Sequence, residues 1–581
     1  MSAKKWWQSA VVYQIYPRSF ADTDGNGVGD LGGILEHLDH LEKLGVDVVW
    51  ISPVYPSPMD DNGYDISDYH DVDPVFGSMA DLDTLVKELH ARGIKLVMDL
   101  VVNHTSDEHP WFIESRSGPD SPKRDWYWWR PARDGTVPGE PGSEPNNWGS
   151  FFSGPAWEYD EDSGDYYMHL FSKKQPDLNW ENPEVRHAVY DMMRWWLDRD
   201  IDGFRMDVIN LISKDPALPD GKVRPGERFA TLGRQVLDGP RIHEYLAEMH
   251  REVFAGIERP LLLVGETLDV SIDEARKYTD QDRQELDMVF QLEHLQIDRG
   301  ASKWDVLPFD MRLLRGSLAA WQEGLADVGW NSLYWDNHDR PRVVSRFGDD
   351  REFRERSAKL LATVLHLQRG TPYIYQGQEL GMCNFPFTSI EQFADIESIN
   401  YYEESVAMGE DPEAVLASLR SRSRDNGRTP MQWDASPNAG FTTGRPWLPV
   451  NPNYPEVNAA SQVDDPTSVF SYHGDLIRLR HDEPVVALGD FTLDEPDDPQ
   501  LFAFTRRHDG EELRVVANFS GDAAEVPPRL QRATADSPVV LANVEEPHDS
   551  TTLEPWEARV FLRRQLCVST RFAGSQAHPL R

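Results

Sequence analysis

The chain has 581 residues, enough for a large core, and its 58 basic against 99 acidic residues leave a net charge of −41. A field of that sign repels nucleic acid and anionic membranes and speaks against both as partners. Two cysteines far apart, Cys383 and Cys567, make neither a disulfide framework nor a metal pattern. Hydrophobic content of 39% with 19 Trp, 19 Tyr and 24 Phe is that of a globular enzyme. No long apolar run follows Lys4 and Lys5, and none elsewhere could span a bilayer, so the expectation is a soluble, cytoplasmic protein. The acidity is dispersed and Lys is scarce beside Arg. This fits adaptation to high salt, where screening suppresses self-repulsion, with a merely acidic cytosolic protein as the alternative.

From Val11 to about residue 480 short apolar runs alternate with helical stretches. Val11–Tyr16, Val46–Ser52, Lys95–Val101, Gly203–Asp207, Leu261–Gly265, Asp287–Phe290, Ser332–Trp335 and Pro372–Tyr375 read as eight strands. Between them Leu82–Arg92, Glu184–Asp198 and Arg241–Phe254 read as helices. The pattern predicts an α/β fold, a closed (β/α)8 barrel of the TIM type, with a doubly wound sheet as its rival. The chain from 105 to 175, rich in Gly, Pro, Trp and Asp, is too long for a loop and predicts a small inserted domain over the barrel mouth. Its run Trp126, Tyr127, Trp128, Trp129 is either a sugar-stacking wall or plain core. Barrel segments 1–104 and 176–485 flank the insert, with an irregular aromatic stretch at about 384–460. Short alternating strands over 486–565 (Leu501–Thr505, Leu513–Ala517, Ala558–Leu562) predict an antiparallel β-sandwich. Residues 566–581 read as a loose tail.

Three carboxylates each follow such a strand: Asp207, Glu266 and Asp339. Alone, each reads as a turn residue or helix cap. In a barrel, however, the C-terminal strand ends open onto one face, so distant residues converge. Convergent carboxylates can supply acid and nucleophile to a glycosidic bond. Arg205, two residues before Asp207, points the same way along a strand and favours the ionised carboxylate, lowering its pKa. Glu266, as an acid, requires a drier or more negative surrounding. Asp22, Asp24, Asn26 and Asp30 alternate with other residues in a glycine-rich loop, with Val28 offering a carbonyl. Such a loop can wrap a hard cation or form a simple polar turn. His243, Glu244 and His250 lack zinc-helix spacing, and no phosphate or dinucleotide fingerprint occurs.

The segments Asp99-Leu-Val-Val-Asn-His104, Gln175-Pro-Asp-Leu-Asn179, Gly203-Phe-Arg-Met-Asp-Val208, Glu266, Asn337-His-Asp339 and Arg424-Asp-Asn-Gly-Arg-Thr-Pro-Met-Gln-Trp433 occur in an order that is specific as a set. In them the chain resembles glycoside hydrolase family 13, the α-amylase superfamily, in its branch of oligo-1,6-glucosidases and α-glucosidases, from about Trp6 to Leu562. The resemblance implies that Asp207 is the nucleophile, Glu266 the acid and base, and Asp339 a holder of sugar hydroxyls. It implies that His104 and His338 bind the first glucose and that Tyr64 and Asp65 form a stacking platform and a hydroxyl clamp. It further implies that Arg428, or failing that Arg424, pairs with Asp65 and closes the non-reducing end, and that the loop at Asp22–Asp30 holds Ca2+. Val208 directly after the nucleophile implies α-1,6 activity. The function expected is a retaining, exo-acting α-glucosidase on short α-glucosides of the isomaltose type, with maltose and sucrose as further candidate substrates. The rivals are trehalose-6-phosphate hydrolase, which shares Ile209-Asn-Leu-Ile-Ser-Lys214, and a transglucosylase such as sucrose isomerase. No basic cluster for a phosphate is evident in the sequence. A non-catalytic relative is expected to lack Asp207 or Glu266, and both are present.

Overall fold

The computed structural model describes residues 5–224, 227–545 and 551–564. The tail expected at 566–581, with Cys567, lies outside the described residues. Eight parallel strands form the central sheet: β1 Val12–Ile15, β2 Val48–Ile51, β3 Lys95–Leu100, β4 Gly203–Met206, β5 Leu262–Glu266, β6 Met288–Phe290, β7 Ser332–Leu333 and β8 Thr371–Tyr375. Pairing runs from β1 through to β6 on one side and from β1 to β8 and β7 on the other. A parallel bridge between Val289 and Asn331 closes the ring. These strands are buried along almost their whole length, which is why they read as continuous apolar runs. At the start of β4, Gly203 has φ +144° and a Cβ there would lie 2.0 Å from the Leu262 carbonyl oxygen, so β4 and β5 meet only over a glycine.

The period of two splits the barrel into two packed layers. Val12, Val48, Trp50, Val97, Val264, Met288, Phe290 and Tyr373 share one apolar cluster. Their neighbours Tyr13, Val49, Leu96, Met98, Phe204, Leu263, Val289 and Ile374 belong to another, packed with the helices. Arg205, Asp207 and Glu266 fall on the same parity as the first set and so share its face. The outer layer includes Met79–Ala91, capped by Ser78 with Asp81, and Pro183–Leu197, capped by Asn182 with proline at its first position.

Between β3 and β4 lie a helix, Pro110–Arg116, and an antiparallel sheet of Trp129–Arg130, Tyr166–Met168 and Trp157–Tyr159. Their core includes Trp128, Trp148, Trp157 and Tyr166, and extends to Val208, Leu211 and Val236, so this region packs onto the loop that follows β4. The stretch read as irregular at 384–460 instead carries two helices, Ile396–Ala407 and Pro412–Arg422. At the C-terminus β9 Asp490–Asp494, β10 Leu501–His508, β11 Glu511–Asn518, β12 Val539–Ala542 and β13 Ala558–Arg564 form an antiparallel sheet in the order 9-10-11-13-12. Phe502, Phe504, Val515 and Val560 pack on the barrel's Leu314, Leu361 and Leu365. Leu501, Ala503 and Val516 pack outward on Ala524 and Leu553 of a two-stranded ribbon, which completes the sandwich.

Candidate active site

A pocket of about 240 Å³ opens at the C-terminal ends of the barrel strands. Asp207, Glu266 and Asp339 all line it, together with Tyr64, His104 and Val208. Arg205 lies beneath. Its Nη1 donates to Asp207 Oδ1 at 2.6 Å and to Asp99 Oδ1 at 2.9 Å, and its Nη2 donates to Glu266 Oε2 at 2.7 Å. Asp99 is fixed further by Tyr64 Oη at 3.0 Å and Trp50 Nε1 at 3.2 Å. One guanidinium thus serves three buried carboxylates.

That count sets the electrostatics. Burial pushes Asp207 well above the usual carboxylate range; Arg205 pulls it down as its spacing predicts, but Glu266 and Asp99 add to the rise. The expected lowering is therefore only one component of a net upward shift. The dry, negative surrounding expected for Glu266 is also only part of its environment, since Arg205 binds its carboxylate directly. Asp339 behaves oppositely. Burial works to raise it, yet His338, Arg424 and Arg428 hold it well below the usual range. Burial lowers His104 to about 4, so it is neutral near pH 7 and able both to donate and to accept.

Val208 has φ 36° and ψ 40°, a left-handed conformation unusual for a β-branched residue. The turn brings its side chain to the pocket wall and its N–H to 3.3 Å from Glu266 Oε2. Strain of this kind directly after a strand-end acid is a mark of a functional site.

Several expected roles move to other residues. Asp65 does not face the pocket: its oxygens accept the Asp60 and Asp61 N–H groups at 2.8 and 3.0 Å, which shapes the loop. The side chain that reaches the pocket is Asp61, bound by Arg424 Nη2 at 3.0 Å and Gln175 Nε2 at 3.1 Å. Arg428 is fully buried and does not line the pocket; it donates to Asp339 Oδ1 and the His338 carbonyl, both at 2.8 Å. The acid–arginine pair that reaches the pocket is thus Asp61–Arg424, where Asp65–Arg428 was expected, and Asp395 anchors Arg424 at 2.5 Å. His338 sits behind the pocket between the rings of Tyr16 and Tyr64, its Nδ1 2.8 Å from Gln14 Nε2. Trp126, Tyr127, Trp128 and Trp129 are buried core and do not line the pocket; its aromatic wall is Phe151, Phe152 and Phe171 with Tyr64. Asp99 stood inside a recognised segment without a role. Asp61 and the phenylalanines carried no signal in the sequence.

Away from the pocket, one carboxylate oxygen from each of Asp22, Asp24 and Asp30 lies within 4.8 Å of the other two. Among the described residues no basic side chain pairs with them. Asn26 Oδ1 accepts the Val28 N–H at 2.7 Å, and Asn26 Nδ2 donates to Asp24 Oδ2 at 3.0 Å. Gly27, at φ +92°, lets the loop pass the Arg445 carbonyl, which a Cβ would approach to 1.9 Å. Three uncompensated carboxylates in an all-oxygen set fit a hard cation such as Ca2+.

A barrel with acids gathered at the strand ends around one charged pocket has the groups that cleavage of a glycosidic bond requires. The family model of the α-amylase catalytic domain matches residues 14–489, and the chain belongs to that family. It is 55% identical to an oligo-1,6-glucosidase of Parageobacillus thermoglucosidasius over 562 residues, covering 96% of this chain and 98% of that protein. A trehalose-6-phosphate hydrolase of Bacillus subtilis is 49% identical, over 97% of this chain and 99% of its own length. Among solved structures, the isomaltulose synthase of Erwinia rhapontici superposes with a TM-score of 0.89 at 42% identity, covering 97% of this chain and all of that one.

Proposed function

We propose that the protein is a retaining, exo-acting α-glucosidase that releases terminal glucose from short α-glucosides, α-1,6-linked ones included. The observation that carries this reading is the trio Asp207, Glu266 and Asp339 in one pocket, with the first two on a single guanidinium. In the first step an Asp207 oxygen bonds to the anomeric carbon as the glycosidic C–O bond breaks. Glu266 gives its proton to the leaving oxygen. Water then attacks the anomeric carbon, its proton passes to Glu266, and the ester to Asp207 breaks. Arg205 binds Asp99, Asp207 and Glu266 together, and catalysis needs Asp207 bare and the proton on Glu266. Asp339, held as an anion, accepts hydrogen bonds from sugar hydroxyls. The Asp61–Arg424 pair at one end favours removal of a single terminal unit.

Products from isomaltose, maltose, sucrose and trehalose 6-phosphate, separated chromatographically, test the reading. Glucose released from isomaltose in the α-configuration supports it; isomerised disaccharide from sucrose, or activity on trehalose 6-phosphate alone, refutes it.

We also propose that Asp22, Asp24 and Asp30, with the Asn26 oxygen and the Val28 carbonyl, hold Ca2+ as a structural ion that cross-braces the loop. A chelator should then lower Tm, because a ligand bound to the native state alone stabilises it. Elemental analysis that finds no calcium in the purified protein would refute this.

A further inference from the structure

A second cavity, also of about 240 Å³, adjoins the catalytic pocket where the inserted region meets the helix Ile396–Ala407. Phe152 and Phe171 line both spaces and so stand between them. On the catalytic side the Arg424 guanidinium lies 4.9 Å from the centre of the Phe152 ring, and the ring centres of His104 and Phe171 are 5.2 Å apart. On the other side Pro155 and Ile396 extend the apolar wall. Asn400 Nδ2 ties the helix to the Phe152 carbonyl at 3.1 Å.

His169 lines this cavity, is only 5% exposed, and has its Nδ1 2.9 Å from the Phe171 carbonyl. A carbonyl only accepts, so Nδ1 carries the proton, and burial lowers the pKa and keeps the ring neutral. Nε2 is then a bare lone pair, and among the described residues nothing donates to it. A buried acceptor without a donor is costly unless something from outside the chain meets it. The charges around it cancel. Two acids, Asp60 and Glu158, stand against two lysines, Lys173 and Lys174, with Lys173 3.7 Å from Glu158 and Asp60 accepting from Ser172 Oγ. The cavity therefore suits a neutral occupant that can donate a hydrogen bond.

We propose that this cavity is a second sugar site, which takes one neutral glucosyl unit with a hydroxyl donating to His169 Nε2 and a pyranose face against Phe152 and Phe171. The choice of ligand rests on the α-glucosidase reading, since the catalytic pocket, of the same volume, must admit one glucosyl unit. A single water takes up about 30 Å³, so the space holds much more than one bridging water. An apolar wall with a few placed polar groups is what a small neutral ligand requires. The occupant would lie against the same two rings that pack on Arg424 and His104, on the far side of the wall that faces the substrate.

The test counts the sugars bound per chain by calorimetric titration. The wild type is first saturated with 1-deoxynojirimycin, a glucose analogue with nitrogen in its ring that cannot be turned over, and is then titrated with glucose. Two sugars in total should bind, one in each space. His169→Phe removes the acceptor and fills the cavity from the sheet side; Asn400→Trp fills it from the helix. Each variant should lose one of the two sugars and still cleave isomaltose. A total of one in the wild type, however divided between the two ligands, overturns the second site and leaves the α-glucosidase reading standing. A total of none, with no cleavage of isomaltose, overturns that reading itself. Two sugars retained by both variants would overturn the location. The wild-type count decides for or against a second site even if a variant fails to fold.

Discussion

The floor of the pocket and its closed end use the same residue types to opposite effect. At the floor one guanidinium, Arg205, faces Asp99, Asp207 and Glu266; at the end two, Arg424 and Arg428, face Asp61, Asp339 and Asp395. Apart from Asp339, which is partly exposed at the pocket, these groups are buried, and burial opposes ionisation. Yet Asp207 is pushed well above the usual carboxylate range, while Asp339 is held well below it. At Asp339 the contact with His338, with Arg424 and Arg428 behind it, outweighs burial, whereas Asp61 at the same end is still raised by burial. At the floor, burial and the neighbouring acids raise Asp207 against the pull of Arg205; at the end, the cationic contacts keep Asp339 an anion able to accept hydrogen bonds from hydroxyls.

The largest expected effect breaks the floor. Asp207→Asn should cut kcat by about 10⁴-fold or more, because an amide cannot carry the glycosyl ester. Glu266→Gln should cost about 10²–10⁴-fold on isomaltose but far less on aryl glucosides whose leaving groups need little proton donation. Equal losses on both substrates would remove Glu266 from the acid's role.

The same floor and end should separate in stability. Asp207 has a raised folded pKa, so its contribution is full below the unfolded value of about 3.9 and is lost as pH rises through the folded value. Asp207→Asn should therefore melt higher than wild type at pH 7–8, with the gain vanishing near pH 4. Asp339 is depressed, so its contribution is present above about 3.9 and lost as pH falls through the folded value. Asp339→Asn should be less stable at neutral pH by about 1–3 kcal/mol, with the deficit closing in acid. Melting curves across pH for both variants check this; shifts of the same sign would mean that the cationic contacts of Asp339 do not set it apart from Asp207.

Arg424 and Arg428 sharpen the picture of the closed end. Arg424→Gln should raise KM for isomaltose about tenfold or more, since the side chain faces the pocket. Arg428→Gln should act first on Tm, because its side chain is buried and binds a backbone carbonyl. The reverse order would restore Arg428 as the closing residue. The smallest effect concerns Val208. A change of one methyl to hydroxyl is worth about 1–3 kcal/mol of discrimination at most. Val208→Thr should shift the isomaltose-to-maltose ratio of kcat/KM toward maltose without abolishing either activity; an unmoved ratio would free Val208 of that role.

Much of this was legible in the chain. The barrel strands announce themselves because a strand buried on both faces must be apolar throughout. Asp207, Glu266 and Asp339 are legible because each follows such a strand. The helices at Ile396–Ala407 and Pro412–Arg422 were missed, although Asp411-Pro412 is a cap followed by proline at the first helical position. Asp65 and Asp61 are indistinguishable as residue types four positions apart. Only the loop's hydrogen bonds turn one inward to the backbone and the other toward the pocket.

By itself, then, the sequence determined the alternation that makes a barrel, the strand-end acids, and the parity that sets Arg205 beside Asp207. These are local properties, set by the period of a strand and the burial of its neighbours. The tertiary structure decided how many acids share each guanidinium, which arginine reaches the pocket, and which of two nearby aspartates faces it. Those outcomes depend on distances between segments far apart in the chain, and electrostatic energy in a low-dielectric site turns on such distances.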